Sequence, residues 1–167
     1  MGIFEVRAWF KAQGIPEEIR EFSVSSATVE LAAQALGVAP QLIAKTLSFE
    51  TATGAMLLLA AGDARVDNRK FRKTFGFKAK MLSAEDALRL TGHAVGGVCP
   101  FALKTPLPVY LDSSLIRFPT VYPAAGSPSS CVVIAPGRLQ EITGGIYVDV
   151  CKLPEEQGNG ISPQQSA

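Results

Sequence analysis

"KTLSFETATGAMLLLAAG", residues 45–62, decides the fold. Two apolar stretches, "KTLSFE" and "AMLLLAAG", flank the turn-prone "TATG", which is the pattern of a β-hairpin. The second stretch is the longest apolar run in the chain, well short of the ~18 residues a membrane span requires. It suits a buried strand.

Working outward toward the N-terminus, "APQLIA" is a short turn. Before it, Val29, Ala32, Ala33 and Leu36 recur at helical spacing, Thr28 can cap the helix and Gly37 can stop it. "IREFSV" alternates loosely and predicts a strand. "IFEVRAWFKAQG" places Ile3, Val6, Trp9 and Phe10 near helical spacing, with Gly14 as the stop. Toward the C-terminus, Asp67 can cap a helix "NRKFRKTFG", followed by a short strand "FKAKML". Ser83, with Asp86 three residues on, resembles a capping box before "AEDALRLTG". "LPVYLD" is a strand, and "CVVIA" is continuous and apolar, which predicts a central one. Pro136 opens a helix where proline costs nothing, and "GIYVDV" is the last strand. The sum is a single mixed α/β domain. Its β-sheet of six to eight strands is curved or barrel-like, with short helices packed around it. The domain spans residues 1–152. Residues 153–167, rich in Pro, Glu, Gln, Gly, Asn and Ser, form a tail expected to be disordered.

Composition excludes several classes. An apolar share of 47% and a charged share of 19% over 167 residues describe a globular chain. A net charge of +1 argues against wrapping long nucleic acid, but not against holding an RNA end with a few local cations. The start has no apolar core of the signal-peptide kind. Three cysteines, no C-x-x-C and one histidine give neither a disulfide framework nor a zinc site, so a reducing cytoplasm is the expected compartment. No membrane contact and no cofactor is expected.

The common catalytic templates are absent: no phosphate-binding glycine loop and no G-x-S-x-G elbow. Three features remain. "GHAVGGVCPFAL", residues 92–103, holds a double glycine, Cys99, Pro100 and Phe101 just after His93. His93 and Cys99 are either a thiol dyad, or a polar residue closing a helix near its C-terminus and a space-filling thiol; the second reading is the plainer. Lys45 opens a strand among apolar neighbours, so it either snorkels to water or addresses an anion. "AAGSPSS", residues 124–130, is a second small-residue loop; two such loops meeting at strand ends can present backbone N–H groups to an oxyanion.

Taken in order, "LAAQALGVAPQLIAKTLSF", "DARVDNRKF", "LTGHAVGGVCPFAL", "LPVYLDSSL" and "VYPAAGSPSSCVVIAPGRLQEITGGIYVDV" resemble the YbaK family, free-standing relatives of the editing domain of bacterial prolyl-tRNA synthetases. The resemblance covers about residues 15–152. It implies a deacylase that hydrolyses mischarged aminoacyl-tRNA, mainly tRNA-Pro carrying a wrong small amino acid such as Cys, Ala, Ser or Thr. The partners it implies are the aminoacylated 3′ acceptor end and prolyl-tRNA synthetase, with the protein a monomer or homodimer. Lys45 then matches the family lysine that holds the terminal nucleotide, which reverses the weight given to snorkelling. Gly96 and Gly97, with Val98, Cys99, Pro100 and Phe101, match the loop beside the scissile carbonyl. Thr46 joins Lys45 on the strand, and Gly126, Ser127 and Pro128 match the opposite wall. Cys99 and Ala102 depart from residues common in relatives, and Cys99 is expected to border the pocket. The rival expectations are a binding module without turnover and a cysteine hydrolase using Cys99 and His93. The basic run "RVDNRKFRK", with Lys78 and Lys80, is either a solvated helix face or a contact for acceptor-stem phosphates.

Overall fold

Residues 55–61 stand in one unbroken buried row in the computed structural model, which describes residues 2–24 and 28–154. A strand buried on both faces loses its polar alternation, and that is why this run is wholly apolar. Along the chain run α1 (Ile3–Gln13), β1 (Ile19–Glu21), α2 (Val29–Leu36), β2 (Ile43–Thr51), β3 (Gly54–Ala61), β4 (Arg65–Val66) and α3 (Asn68–Phe75). Then follow α4 (Ala84–Thr91), β5 (Val109–Asp112), β6 (Tyr122–Pro123), β7 (Ser130–Val132), α5 (Pro136–Thr143), β8 (Ile146–Val148) and β9 (Cys151–Lys152).

The expected hairpin is the middle of a five-stranded mixed sheet ordered β6-β2-β3-β5-β8. β2 and β3 pair antiparallel from Ala44↔Ala61 to Thr51↔Gly54, while β6, β5 and β8 add parallel. Beyond β6, bridges Val121↔Ile134 and Ala124↔Cys131 carry the sheet over to the β1–β7 pair, and the whole curls into a half-barrel. This is the mixed, curved α/β domain that the sequence implies.

The helices begin and end where local chemistry dictates. Thr28 Oγ1 accepts the Leu31 N–H, Asp67 accepts those of Arg69 and Lys70, and Ser83 Oγ accepts that of Asp86. α1 brings Trp9 and Phe10 onto Phe101, and α3 brings Phe71 onto Phe49, Phe75 and Phe77.

Two expectations need correction. "FKAKML" is not a strand: only Met81 bridges Phe49, with Glu50 N–H donating to Lys80 O and Leu82 N–H to Ser48 O. The chain leaves the edge at once because Ser83 is already capping α4. "CVVIA" is not in the five-stranded sheet: β7 covers Ser130–Val132 and pairs with the short β1, while Cys131 and Ile134 make single bridges to Ala124 and Val121 on the other side. A brief apolar run looks the same in the middle of a main sheet and in a short strand beside it. Of the expected tail, Leu153 packs against the core, and residues 155–167 lie outside the described residues.

Candidate active site

The edge of β2 away from β3 is only partly occupied. β6 pairs with Ile43 and Ala44, and the chain at Lys80 and Leu82 bonds to Glu50 and Ser48. In an extended strand the N–H and C=O of one residue point to the same side, and the side alternates. Ser48 and Glu50 point outward, so the main chain of Thr46 points outward too, into the gap between the two partners. There the Thr46 Oγ1 is itself buried without a hydrogen-bond partner. Buried polar groups left unpaired are uncommon.

A cavity of about 300 Å³ occupies this gap. α2 walls it with Val29, Ala32 and Leu36, α4 with Ala84 and Ala87, and the loop after α4 with Val95, Gly96 and Val98. Tyr122, Ser130 and Cys131 close the far side. The lining is mostly apolar, with Lys45, Tyr122 and the hydroxyls of Thr28, Thr46, Ser48, Ser83 and Ser130 as its polar members.

Lys45, Thr46, Gly96 and Val98, four of the residues singled out in the sequence, line this cavity together. Lys45 is half-buried and its ammonium donates to the Ala64 carbonyl. Burial is the main cause lowering its pKa from the usual lysine value; Arg65 adds to the effect, while Asp63 and Glu30 oppose it.

The two glycine-bearing loops meet, but not as paired walls. A Cβ on Gly97 would stand 2.6 Å from Ser127 N and 2.7 Å from Gly126 C, so Gly97 is what lets one loop lie on the other. Its own N–H donates to Ala94 O at 2.9 Å. Gly126, Ser127 and Pro128 therefore stand behind the cavity rather than in its lining, and Ser127 Oγ lies 2.7 Å from Ser130 Oγ, which does line it.

Pro100 and Phe101 are buried in the core. Cys99 is fully buried and forms no part of the cavity lining, which corrects the expectation that it borders the pocket. Its Sγ lies 3.5 Å from His93 Nε2, and the same nitrogen lies 2.7 Å from Phe101 O. The contact between thiol and imidazole thus exists, but out of solvent's reach. Burial pushes the thiol up to about 12 and lowers the His93 pKa, disfavouring the charged form of each. His93 is accordingly a core residue, not a cation at a helix end.

Sequence reasoning missed the α2 wall. Its stripe looks like an ordinary core face, yet only Ala33 is fully buried; Val29, Ala32 and Leu36 are half-buried. Among the described residues no cluster of His, Cys, Asp and Glu could hold a metal ion.

Residues 24–142 match the model of the aminoacyl-tRNA editing domain. Uncharacterized protein YwhH of Bacillus subtilis (strain 168) is 48% identical over 154 residues, covering 91% of this chain and 98% of that protein. The solved structure of "a putative trans-editing enzyme for prolyl tRNA synthetase" is 33% identical with a TM-score of 0.84, covering 90% of this chain and 97% of that one. That of hypothetical protein APE2540 is 30% identical with a TM-score of 0.81, covering 89% and 99%.

Proposed function

Because this chain belongs to the aminoacyl-tRNA editing domain family, we propose that it is a deacylase acting in trans on mischarged tRNA. Its substrate is the ester between a wrong small amino acid and the 3′-terminal ribose, with tRNA-Pro the first carrier to test. The observation that carries this reading is the cavity. It joins a half-buried cation, a glycine-bearing loop and an open strand edge around a mostly apolar hollow. The neighbour named for trans-editing supports the same substrate class.

The chemistry needs no side-chain nucleophile. A water oxygen bonds to the ester carbonyl carbon, and the carbonyl oxygen becomes an oxyanion. The carbon–oxygen bond to the ribose then breaks, and the ribose hydroxyl recovers the proton. Where a hydroxyl or thiol of the substrate attacks first, water opens the ester or thioester it forms by the same step. Main-chain N–H groups of the loop at Gly96 and Val98 and of Thr46 face the developing charge; one such donor is worth roughly 3–4 kcal/mol elsewhere. Gly97 serves by permitting the close approach of the two loops. Lys45 holds the nucleotide by charge. The burial of Cys99 and His93, which disfavours a thiolate, argues against thiol catalysis. The reading sets the enzyme in the cytoplasm, working on products of prolyl-tRNA synthetase as a monomer or homodimer, without cofactor or membrane.

The test is a panel of tRNA-Pro acylated with Ala, Ser, Thr or Cys. The purified protein should release at least one amino acid, and Lys45→Ala should fall to the uncatalysed rate while keeping the wild-type circular dichroism. Binding without release would make the chain a recognition module. Release abolished by Cys99→Ala in a folded protein would transfer the chemistry to Cys99.

A further inference from the structure

The positive charge of this chain is unevenly placed. Seven of its 16 lysines and arginines fall between residues 65 and 80, against one of its 15 carboxylates. The rest of the molecule, with nine cations and fourteen carboxylates, is acidic. Ion pairing sharpens the contrast. Arg7, Arg20, Arg89, Arg117 and Arg138, all the arginines outside that stretch, hold a carboxylate. Among the described residues, Arg65, Arg69 and Arg72, the three inside it, hold none, nor do Lys73 and Lys78. All five are exposed. Charges kept from intramolecular partners and held in water keep their full attraction for an external polyanion.

Geometry puts these charges on one surface. In α3 the apolar pair Phe71 and Phe75 turns inward onto Phe49 and Tyr110. Arg69, Arg72 and Lys73, spaced i, i+3, i+4, then share the outer face. The same stretch is anchored to the cavity at both ends. Ala64, just before Arg65, accepts the Lys45 ammonium, and Lys80 and Leu82 bond to β2 at Glu50 and Ser48.

We infer that the outer face of α3, with Arg65 and Lys78 beside it, is the docking surface for the phosphates of an RNA acceptor stem whose 3′ end enters the cavity. This deepens, and rests on, the reading of the cavity as an ester site. The chain's near-zero net charge hides the surface because acidic residues elsewhere balance it. That balance also explains why the protein need not bind RNA indiscriminately.

The experiment measures fluorescence anisotropy of an uncharged acceptor minihelix ending in CCA, from 50 to 200 mM salt. Against Arg69→Glu/Arg72→Glu/Lys73→Glu, Kd should rise roughly 10- to 100-fold, and the slope of log K on log salt should shrink by about one for each phosphate no longer neutralised. The ratio of kcat/KM on acylated minihelix to that on an aminoacyl-CCA trinucleotide should fall in parallel. If charge reversal at the last turn of α3 unfolds the protein, Arg69→Gln/Arg72→Gln asks the same question with a smaller effect. Unchanged Kd and slope overturn the inference, as does an intact minihelix Kd with abolished binding to prolyl-tRNA synthetase, which would make the face a protein dock. Wild-type protein that binds the minihelix through α3 yet releases no amino acid would leave this inference standing and sink the deacylase reading.

Discussion

Lys45 is the residue where burial and chemistry pull against each other. Its ammonium sits half-buried against the Ala64 carbonyl, and desolvation lowers its pKa below the lysine norm of ~10.4. If it grips the terminal nucleotide by charge, RNA affinity should decline as pH rises, with a midpoint below that norm. Kd for the uncharged minihelix between pH 7 and 10 measures this. Lys45→Arg, which cannot titrate there, should flatten the curve. Cys99→Ala should leave it in place, because a thiol ionising at about 12 is silent throughout. The Lys45 contribution to stability moves the other way. The unfolded chain holds the lysine proton more tightly, so Lys45 itself makes stability rise with pH through the same window. The buried thiols of Cys99, Cys131 and Cys151, all pushed up by burial, make it fall above the ordinary thiol pKa. Circular dichroism at each pH separates lost affinity from unfolding. A curve unchanged by Lys45→Arg would remove Lys45 from the binding site.

At the level of elements, the decisive contact is loop on loop. Gly97 lies against main-chain atoms of Gly126 and Ser127, which cannot swing aside as a side chain could. Gly97→Ala should force the loops apart, costing about 1–3 kcal/mol in urea unfolding and most of the deacylation, since Gly96 and Val98 line the cavity from the same loop. Wild-type turnover in this variant would show that the loop's position is irrelevant. The elements themselves were largely legible in the sequence, because each helix carries its own boundary chemistry: Thr28, Asp67 and Ser83 cap with side-chain oxygens, and glycines follow. Lys45 and Gly96 were legible only through a family resemblance, since a lysine opening a strand has no local signature. What stayed illegible depends on tertiary pairing. "CVVIA" and "FKAKML" lack any local mark saying which edge they meet, and the α2 wall needs the knowledge that nothing covers part of its apolar stripe. Cys99 was misplaced for the same reason: neither composition nor spacing says on which side of a loop a side chain falls.

At the scale of the whole molecule, one buried carboxylate ties the sheet's far end to the Lys45 end of the cavity. Asp112 closes β5, is 1% exposed, and accepts the Ser114 N–H through Oδ2 and the Val150 N–H through Oδ1, both at 2.9 Å. Ser114 Oγ in turn accepts the Ala61 N–H at the end of β3. Ala61 starts the turn in which Ala64 N–H donates back to Ala61 O, and Ala64 presents the carbonyl that takes the Lys45 ammonium. Removing the carboxylate orphans two buried donors, each worth roughly 1–3 kcal/mol. Asp112→Ala should therefore lose about 2–6 kcal/mol in equilibrium urea unfolding. Asp112→Asn should be destabilised as well, because turning its one oxygen to either N–H sets an amide NH2 against the other. The functional consequence follows from the chain of bonds. Where either variant remains folded, deacylation should drop beyond the unfolded fraction, because the Ala64 carbonyl no longer fixes Lys45. Stability within about 0.5 kcal/mol of wild type for Asp112→Ala, the range of an ordinary surface change, would mean that β5, β9 and the Lys45 turn are held together by packing alone.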